Sequence, residues 1–337
     1  MISYDVDIIE DIEYLYISTR LRAHENNFLG REGLMRLASA RGYDDVIKLL
    51  SEHGWAKFDP NNSSELEQQI TSKRQEMFDI LERYAPDIKI IDVFRLKYDY
   101  HNIKVLIKSA ALNIDAEYLL SGAGTIAPEK MLKAFREKDF SLLDSHMKIA
   151  LQEAADMLSR TGDPQLSDLL LDREMAARML LLSENTLSEF LTGYVKLLID
   201  SGNLRVFTRA ALCKKSHDYL RRAIFPGGSF GSMLLSGDIS PDMIKSRVGN
   251  GPLAEAADAA AMAVEAGGSL AALDLACDNA LLNYLRPSRI APFGETQLIA
   301  YMQAFESELI SVRTILSGRI AQMSEDRIVE RLRMSYV

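Results

Sequence analysis

Five histidines and two cysteines are the first residues to test for chemistry. His24, His53, His101, His146 and His217 stand at no spacing that would bring two of them, or one with a cysteine, onto a metal ion. Cys213 and Cys277 lie far apart and belong to no Cys-x-x-Cys element, so both are expected as reduced thiols within helices. The glycine clusters Gly122-Ala123-Gly124 and Gly227-Gly228-Ser229-Phe230-Gly231 lack the Gly-Lys-Ser/Thr ending by which a phosphate loop holds a nucleotide. They read as turns. Carboxylate pairs such as Asp44-Asp45, or Glu306 with Glu308, are what a chain with 48 acidic residues produces by chance. No catalytic residue, cofactor, metal or nucleotide site is expected.

What recurs is a polar pattern. Asp99, Asn102, Lys104 and Lys108 in one segment match Asp200, Asn203, Arg205 and Arg209 in another, with Ile103 against Leu204 and Leu106 against Phe207. A fainter third copy runs Glu308, Ser311, Val312, Arg313, Ile315, with a serine where the others have an amide. About twenty residues beyond the first two copies lie the glycine turns at Gly122 and Gly227, whereas the third copy ends with the chain. Upstream of each copy an acid precedes an apolar helical run: Asp44, Asp172 and Asp274. The acid of each copy is expected to cap a helix or complement its positive end, and the amide to bond across to a neighbouring helix. The bases are spaced by four and share one helix face. Two readings of Lys104, Lys108, Arg205, Arg209 and Arg313 are open: an internally paired or solvated face, or a docking surface for an acidic partner. Residues 201–227 strengthen the second, because they hold six bases against the single acid Asp218.

The elements that carry these residues are helical. Leu66, Ile70, Met77, Leu81 and Tyr84 recur at helical spacing behind a capping box of Ser64 and Glu67. Asp163-Pro164 and Ser240-Pro241 place a capping oxygen before a proline in the first helical turn. Leu298, Met302, Phe305, Leu309, Val312 and Leu316 form a coiled-coil-like seam that breaks near Gly318. Ile88 to Phe94 is the one β-branched run, and strands at regular intervals are missing. The chain reads as all-α, with loops at 122–128, 226–237, 249–252 and 286–294. Three helical lobes are expected, at 1–125, 126–230 and 231–337.

Composition closes off other classes. The 337 residues carry 39 bases and 48 acids, a net charge of −9 that opposes attraction to nucleic acid or anionic lipid. The longest uncharged stretch, 223–237, is interrupted by Pro226 and several glycines and falls short of the ~20 apolar residues of a membrane span. The acidic start, Met1 to Glu13, lacks the regions of a signal peptide. A soluble chain that stays in the cytoplasm is expected, with no direct membrane insertion.

The stretch Val93-Phe94-Arg95-Leu96-Lys97-Tyr98-Asp99-Tyr100-His101-Asn102-Ile103-Lys104 resembles the signature of the C subunit of A/V-type ATP synthases, called the d subunit in eukaryotic V-ATPases. Arg20-Leu21-Arg22-Ala23, Asp278-Asn279-Ala280-Leu281-Leu282 with Tyr284-Leu285, and Gly294 followed by Leu298-Ile299 and Tyr301 are similar to that family as well. So is the ending with Glu306, Glu308, Arg313, Ile315, Gly318, Arg319 and Tyr336-Val337. The likeness covers nearly the whole chain, in order. It implies an all-helical, pseudo-threefold funnel without an active site. It also implies partners: the central shaft and the membrane rotor ring, with the chain peripheral on the cytoplasmic side, coupling ATP chemistry to proton or sodium flow. The isolated chain is then expected as a monomer. A helical-repeat adaptor outside rotary ATPases is the alternative on the residues alone.

Overall fold

A computed structural model describes residues 10–236, 240–267 and 269–336. Readings that rest on Met1 to Ile9, Gly237 or Val337 lie outside the described residues. Those that are described form α-helices joined by turns and short 3-10 segments, and none is in a strand. The β-branched run at Ile88 opens the helix Ile88–Leu112. Long helices Ser63–Tyr84, Pro164–Asn185, Glu189–Leu212, Ala271–Leu285 and Glu295–Ile320 carry most of the recurring residues.

Local chemistry explains where these helices start. Asp163 and Ser240 cap helices Pro164–Asn185 and Pro241–Val248 by accepting from Gln165 and Met243 N–H, each with proline in the first turn. The Ser64–Glu67 capping box is corrected: Asn62 is the cap and accepts from the Ser64 and Glu65 amides, while Glu65 accepts from Asn62 Nδ2 at 2.9 Å. The cap lies two residues before the expected one, and Glu65 returns to the Asn62 side chain and to Asp59 N–H, not to the cap's own N–H, which leaves Glu67 for another partner. Gly162, in the left-handed conformation at φ 65°, closes helix Ser145–Thr161 and turns the chain into its antiparallel neighbour Pro164–Asn185.

The chain divides into two compact units, one of residues 1–91 with 282–337 and one of residues 92–281. The first has a core drawn from both ends of the sequence: Leu37, Val46, Leu50, Trp55, Leu66 and Ile70 bury against Val312, Ile315 and Leu316. The seam of the helix Glu295–Ile320 runs to Leu316, and the helix ends just past Gly318. A side chain there would meet Ile328 Cγ1 at 2.8 Å, so glycine lets the short helix Glu325–Val329 approach. In the second unit, Phe94 stacks on Tyr194 with ring centroids 5.6 Å apart. The alanine-rich helix Ala254–Ala266 packs on Glu189–Leu212 with Ala256, Ala257, Ala260 and Ala261 fully buried. Small side chains there permit close helix contact.

Candidate interaction site

The acids of the repeat, with the amide or serine three residues on, lie in the interior of three helices, not at their starts. Asp99, in the middle of Ile88–Leu112, is fully buried and accepts from Thr125 N–H at 3.0 Å, Thr125 Oγ1 at 2.7 Å and Ile126 N–H at 3.1 Å. Asn102 exchanges two bonds with Ser121: its Nδ2 donates to the carbonyl at 2.9 Å and its Oδ1 accepts from the amide at 2.7 Å. Arg95, one turn earlier on the same face, donates to the Ala123 carbonyl at 3.1 Å and to that of Gly124. Three side chains of one helix thus hold the backbone of a loop. The expectation that Asp99 caps a helix is corrected accordingly. Burial pushes the Asp99 carboxyl above its ordinary range, and the Thr125 and Ile126 donors and Arg95 pull it back.

The second copy repeats this loop clamp. Asp200 accepts from Ser229 and Phe230 N–H at 3.0 and 3.3 Å, while Asn203 donates to the Phe225 carbonyl at 3.0 Å and accepts from its amide at 2.7 Å. A side chain on Gly124 would come within 2.2 Å of Asp99 Oδ1, and one on Gly228 within 2.2 Å of Asp200 Oδ1. The glycines are therefore contact points as well as turn residues. Burial raises the Asp200 carboxyl too, opposed by its backbone donors at Ser229 and Phe230. His101 and Gly202 correspond in the repeat. His101 reaches the Leu119 carbonyl at 3.0 Å, whereas a side chain on Gly202 would strike the Phe225 ring at 2.7 Å.

In the third copy the loop comes from the other end of the chain. Glu308 Oε2 accepts from Leu29 N–H at 2.8 Å, 279 residues earlier, and the carboxylate also takes a bond from Gly30 N–H, where helix Gly30–Ser39 begins. Ser311 donates to the Ser307 carbonyl of its own helix and so makes no second bond across. Burial raises the Glu308 carboxyl to about 7 against those two donors. Beside it, Arg74 grips Glu306 through Nε at 2.7 Å and Nη2 at 3.2 Å. The residues of the C-terminal motif are thus joined to the N-terminal third: Arg319 Nη1 also donates to the Ala38 carbonyl at 3.2 Å, and Arg22 Nη2 to the Ser288 and Arg289 carbonyls at 3.0 and 2.9 Å.

All five basic residues read from the sequence are in ion pairs. Lys104 meets Asp172, and Lys108 meets Asp168 at 2.6 Å, both on helix Pro164–Asn185. Arg205 bridges Asp274 at 2.9 Å and Asp278 at 2.7 Å on helix Ala271–Leu285, with Arg209 3.9 Å from Asp274. Arg313 pairs with Glu67 on helix Ser63–Tyr84. Two of the three upstream acids, Asp172 and Asp274, are thus partners of the repeat. Asp172 lies within its helix and does not open it, and in the third copy the partner of the base is Glu67, not the upstream acid Asp44. Asp44 sits instead in the first turn of helix Tyr43–Glu52. Spacing in the sequence does not mark Arg95, Gly124, Gly228 or the Glu308–Leu29 contact as parts of a clamp. The glycine turns after the first two copies are the one signal that points to Gly124 and Gly228, and no such turn points to Leu29.

Among the described residues no three His, Cys, Asp or Glu side chains are grouped to hold a metal ion, and no helix is long and apolar enough to cross a membrane.

Comparison with known proteins bears on the same residues. The family model described as "ATP synthase (C/AC39) subunit" matches residues 17–331. The chain is 20% identical to the C subunit of the V-type sodium ATPase of Enterococcus hirae, over 96% of this chain and 99% of that one. It is 22% identical to the C subunit of the A-type ATP synthase of Methanocaldococcus jannaschii, over 95% and 86% of the two chains, and 20% identical to that of Pyrococcus horikoshii, over 93% and 87%. The match takes in all three copies of the repeat, both glycine loops and the contacts that join the two ends of the sequence in the first unit, and with it the chain belongs to the ATP synthase (C/AC39) subunit family.

Proposed function

We propose that the chain is the central-stalk coupling subunit of a rotary A/V-type ATPase, seated on the cytoplasmic side of the membrane between the shaft and the rotor ring. It is a structural subunit, not a catalytic one. The observation that carries this reading is the family match over residues 17–331, and relatives named as C subunits match over nearly their whole length. The repeated clamp supports a body of three related lobes, at about 1–125, 126–230 and 231–337, built as a pseudo-threefold funnel, the form expected for a part that sits coaxially on a ring. Buried clamps suit transmission of torque, because a loop held by a carboxylate, an amide and backbone donors has little freedom to yield.

We also propose that the faces bearing Lys104, Lys108, Arg205, Arg209 and Arg313 take part in docking. Arg209, whose side chain is 58% exposed and only 3.9 Å from its acid, can do so without breaking a close bridge. The other four keep their internal partners, and the isolated chain is a monomer in this reading. Affinity capture of the tagged full-length chain from gently solubilised membranes tests it. Co-isolation of an ATP-hydrolysing, ion-pumping complex is expected, and recovery of the chain alone or with unrelated proteins would refute the assignment.

A further inference from the structure

One surface of the second unit carries charge that the fold does not use. Helix Glu189–Leu212 ends at Cys213, the chain turns at Lys214 with φ 50°, and Ser216 caps the short helix His217–Ala223. Arg209, Lys214, Lys215, Arg221 and Arg222 are all exposed across this corner, and Asp218 is the one acid between residues 209 and 222. Asp218 is bridged to Arg222 at 2.5 Å. Arg173, from helix Pro164–Asn185, adds a charge: its Nη1 donates to the Arg222 carbonyl at 2.9 Å and the Arg221 carbonyl at 3.4 Å, satisfying the end of the short helix. Lys215 Nζ lies 5.3 Å from the Tyr219 ring centroid. Lys214, Lys215, Arg221 and Arg173 form no ion pair among the described residues, whereas Lys104, Lys108, Arg205 and Arg313 are each bridged.

We propose that this corner, centred on Lys214, Lys215 and Arg221, docks an acidic face of another protein subunit of the same complex; the proposal rests on the reading of the chain as such a subunit. The chain as a whole is at −9, so a local concentration of unneutralised cations gives an acidic partner a single favourable orientation. A lipid surface is the weaker fit. The large exposed apolar residues nearest in sequence are Leu187 and Met233, outside the corner, and stable membrane attachment needs an apolar anchor in addition to a basic patch.

The test uses the full-length chain carrying Lys214→Glu, Lys215→Glu and Arg221→Glu together, and the matching triple Gln variant. Each is titrated onto ATPase membranes stripped of this subunit, at low and at raised salt, and onto protein-free vesicles of anionic lipid. Wild type is expected to rebind the membranes, more weakly as salt rises, and not to bind the vesicles. The Glu variant should lose about tenfold or more in affinity and the Gln variant less, with unchanged thermal melting because no internal bridge is broken. Equal rebinding by wild type and the Glu variant would overturn the surface alone. Vesicle binding that matches membrane binding would overturn the protein partner in favour of lipid. Failure of wild type to rebind would overturn the subunit reading and the surface with it.

Discussion

A carboxylate buried in the middle of a helix needs donors from elsewhere in the chain, and each acid of the repeat finds them in a loop. Loss of such an acid strands backbone N–H groups in the interior, at about 1–3 kcal/mol for each neutral group left unsatisfied. Asp200→Ala should therefore lower the stability of the chain by about 2–4 kcal/mol. Gly228→Ala, which drives a methyl group into Asp200 Oδ1, should cost about 1–3 kcal/mol by overpacking. Chemical denaturation of the two variants checks both, and a wild-type midpoint for either would remove the clamp from the account. Glu308 makes a different prediction. Its carboxyl is raised from 4.5 to about 7, so the folded chain holds that proton more tightly than the unfolded chain does. The stabilisation is complete below the unfolded value and is lost as pH rises through 7, a difference of about 3 kcal/mol. Wild type should lose more stability than Glu308→Gln between pH 5 and pH 8. Parallel profiles would show that Glu308 does not titrate there. The spacing of Asp99, Asn102 and Lys104 is visible in the sequence because it recurs, but the partners are not. Thr125 lies 26 residues from Asp99 and Leu29 lies 279 from Glu308, and nothing local marks either as a donor.

At the scale of elements, the basic residues act as joints between helices. Arg205 is 19% exposed at the side chain and reaches two carboxylates, whereas Arg209 is 58% exposed and barely reaches one. Removing one partner of a largely buried bridge costs about 3–5 kcal/mol, and an exposed pair is worth about 0–1. Arg205→Glu should accordingly destabilise the isolated chain markedly, while Arg209→Glu leaves its melting temperature nearly unchanged. Calorimetry of the two single variants separates them; equal effects would contradict the assigned pairing. Helix starts are easy to read where one cap oxygen precedes a proline, as at Asp163 and Ser240. Before Ser63–Tyr84 the residues Asn61, Asn62, Ser63 and Ser64 all offer a side-chain acceptor, and only the fold commits Glu65 to Asn62. Gly318, where the seam ends, is also a packing contact, with Ile328 as the neighbour that periodicity does not reveal.

At the scale of the molecule, the first unit joins residues from both ends of the chain, and the second is continuous in sequence. Two of the three clamps lie wholly in the second unit. The third needs Leu29 and Glu308 together, which explains why no glycine turn stands behind the third copy: its donor loop lies 279 residues before the acid, not after it. The all-α class and the family were legible from helical periodicity and ordered motifs. Which end meets which was not, because contacts across nearly the full chain leave no periodic trace. A coupling subunit transmits between two activities, so both are measured in the same membranes. ATP hydrolysis and ATP-driven ion uptake should be recorded before and after selective removal of the chain, and again after adding it back. Hydrolysis is expected to persist while uptake collapses, and uptake to return in proportion to the chain added; uptake that is undiminished without the chain would rule out a coupling role.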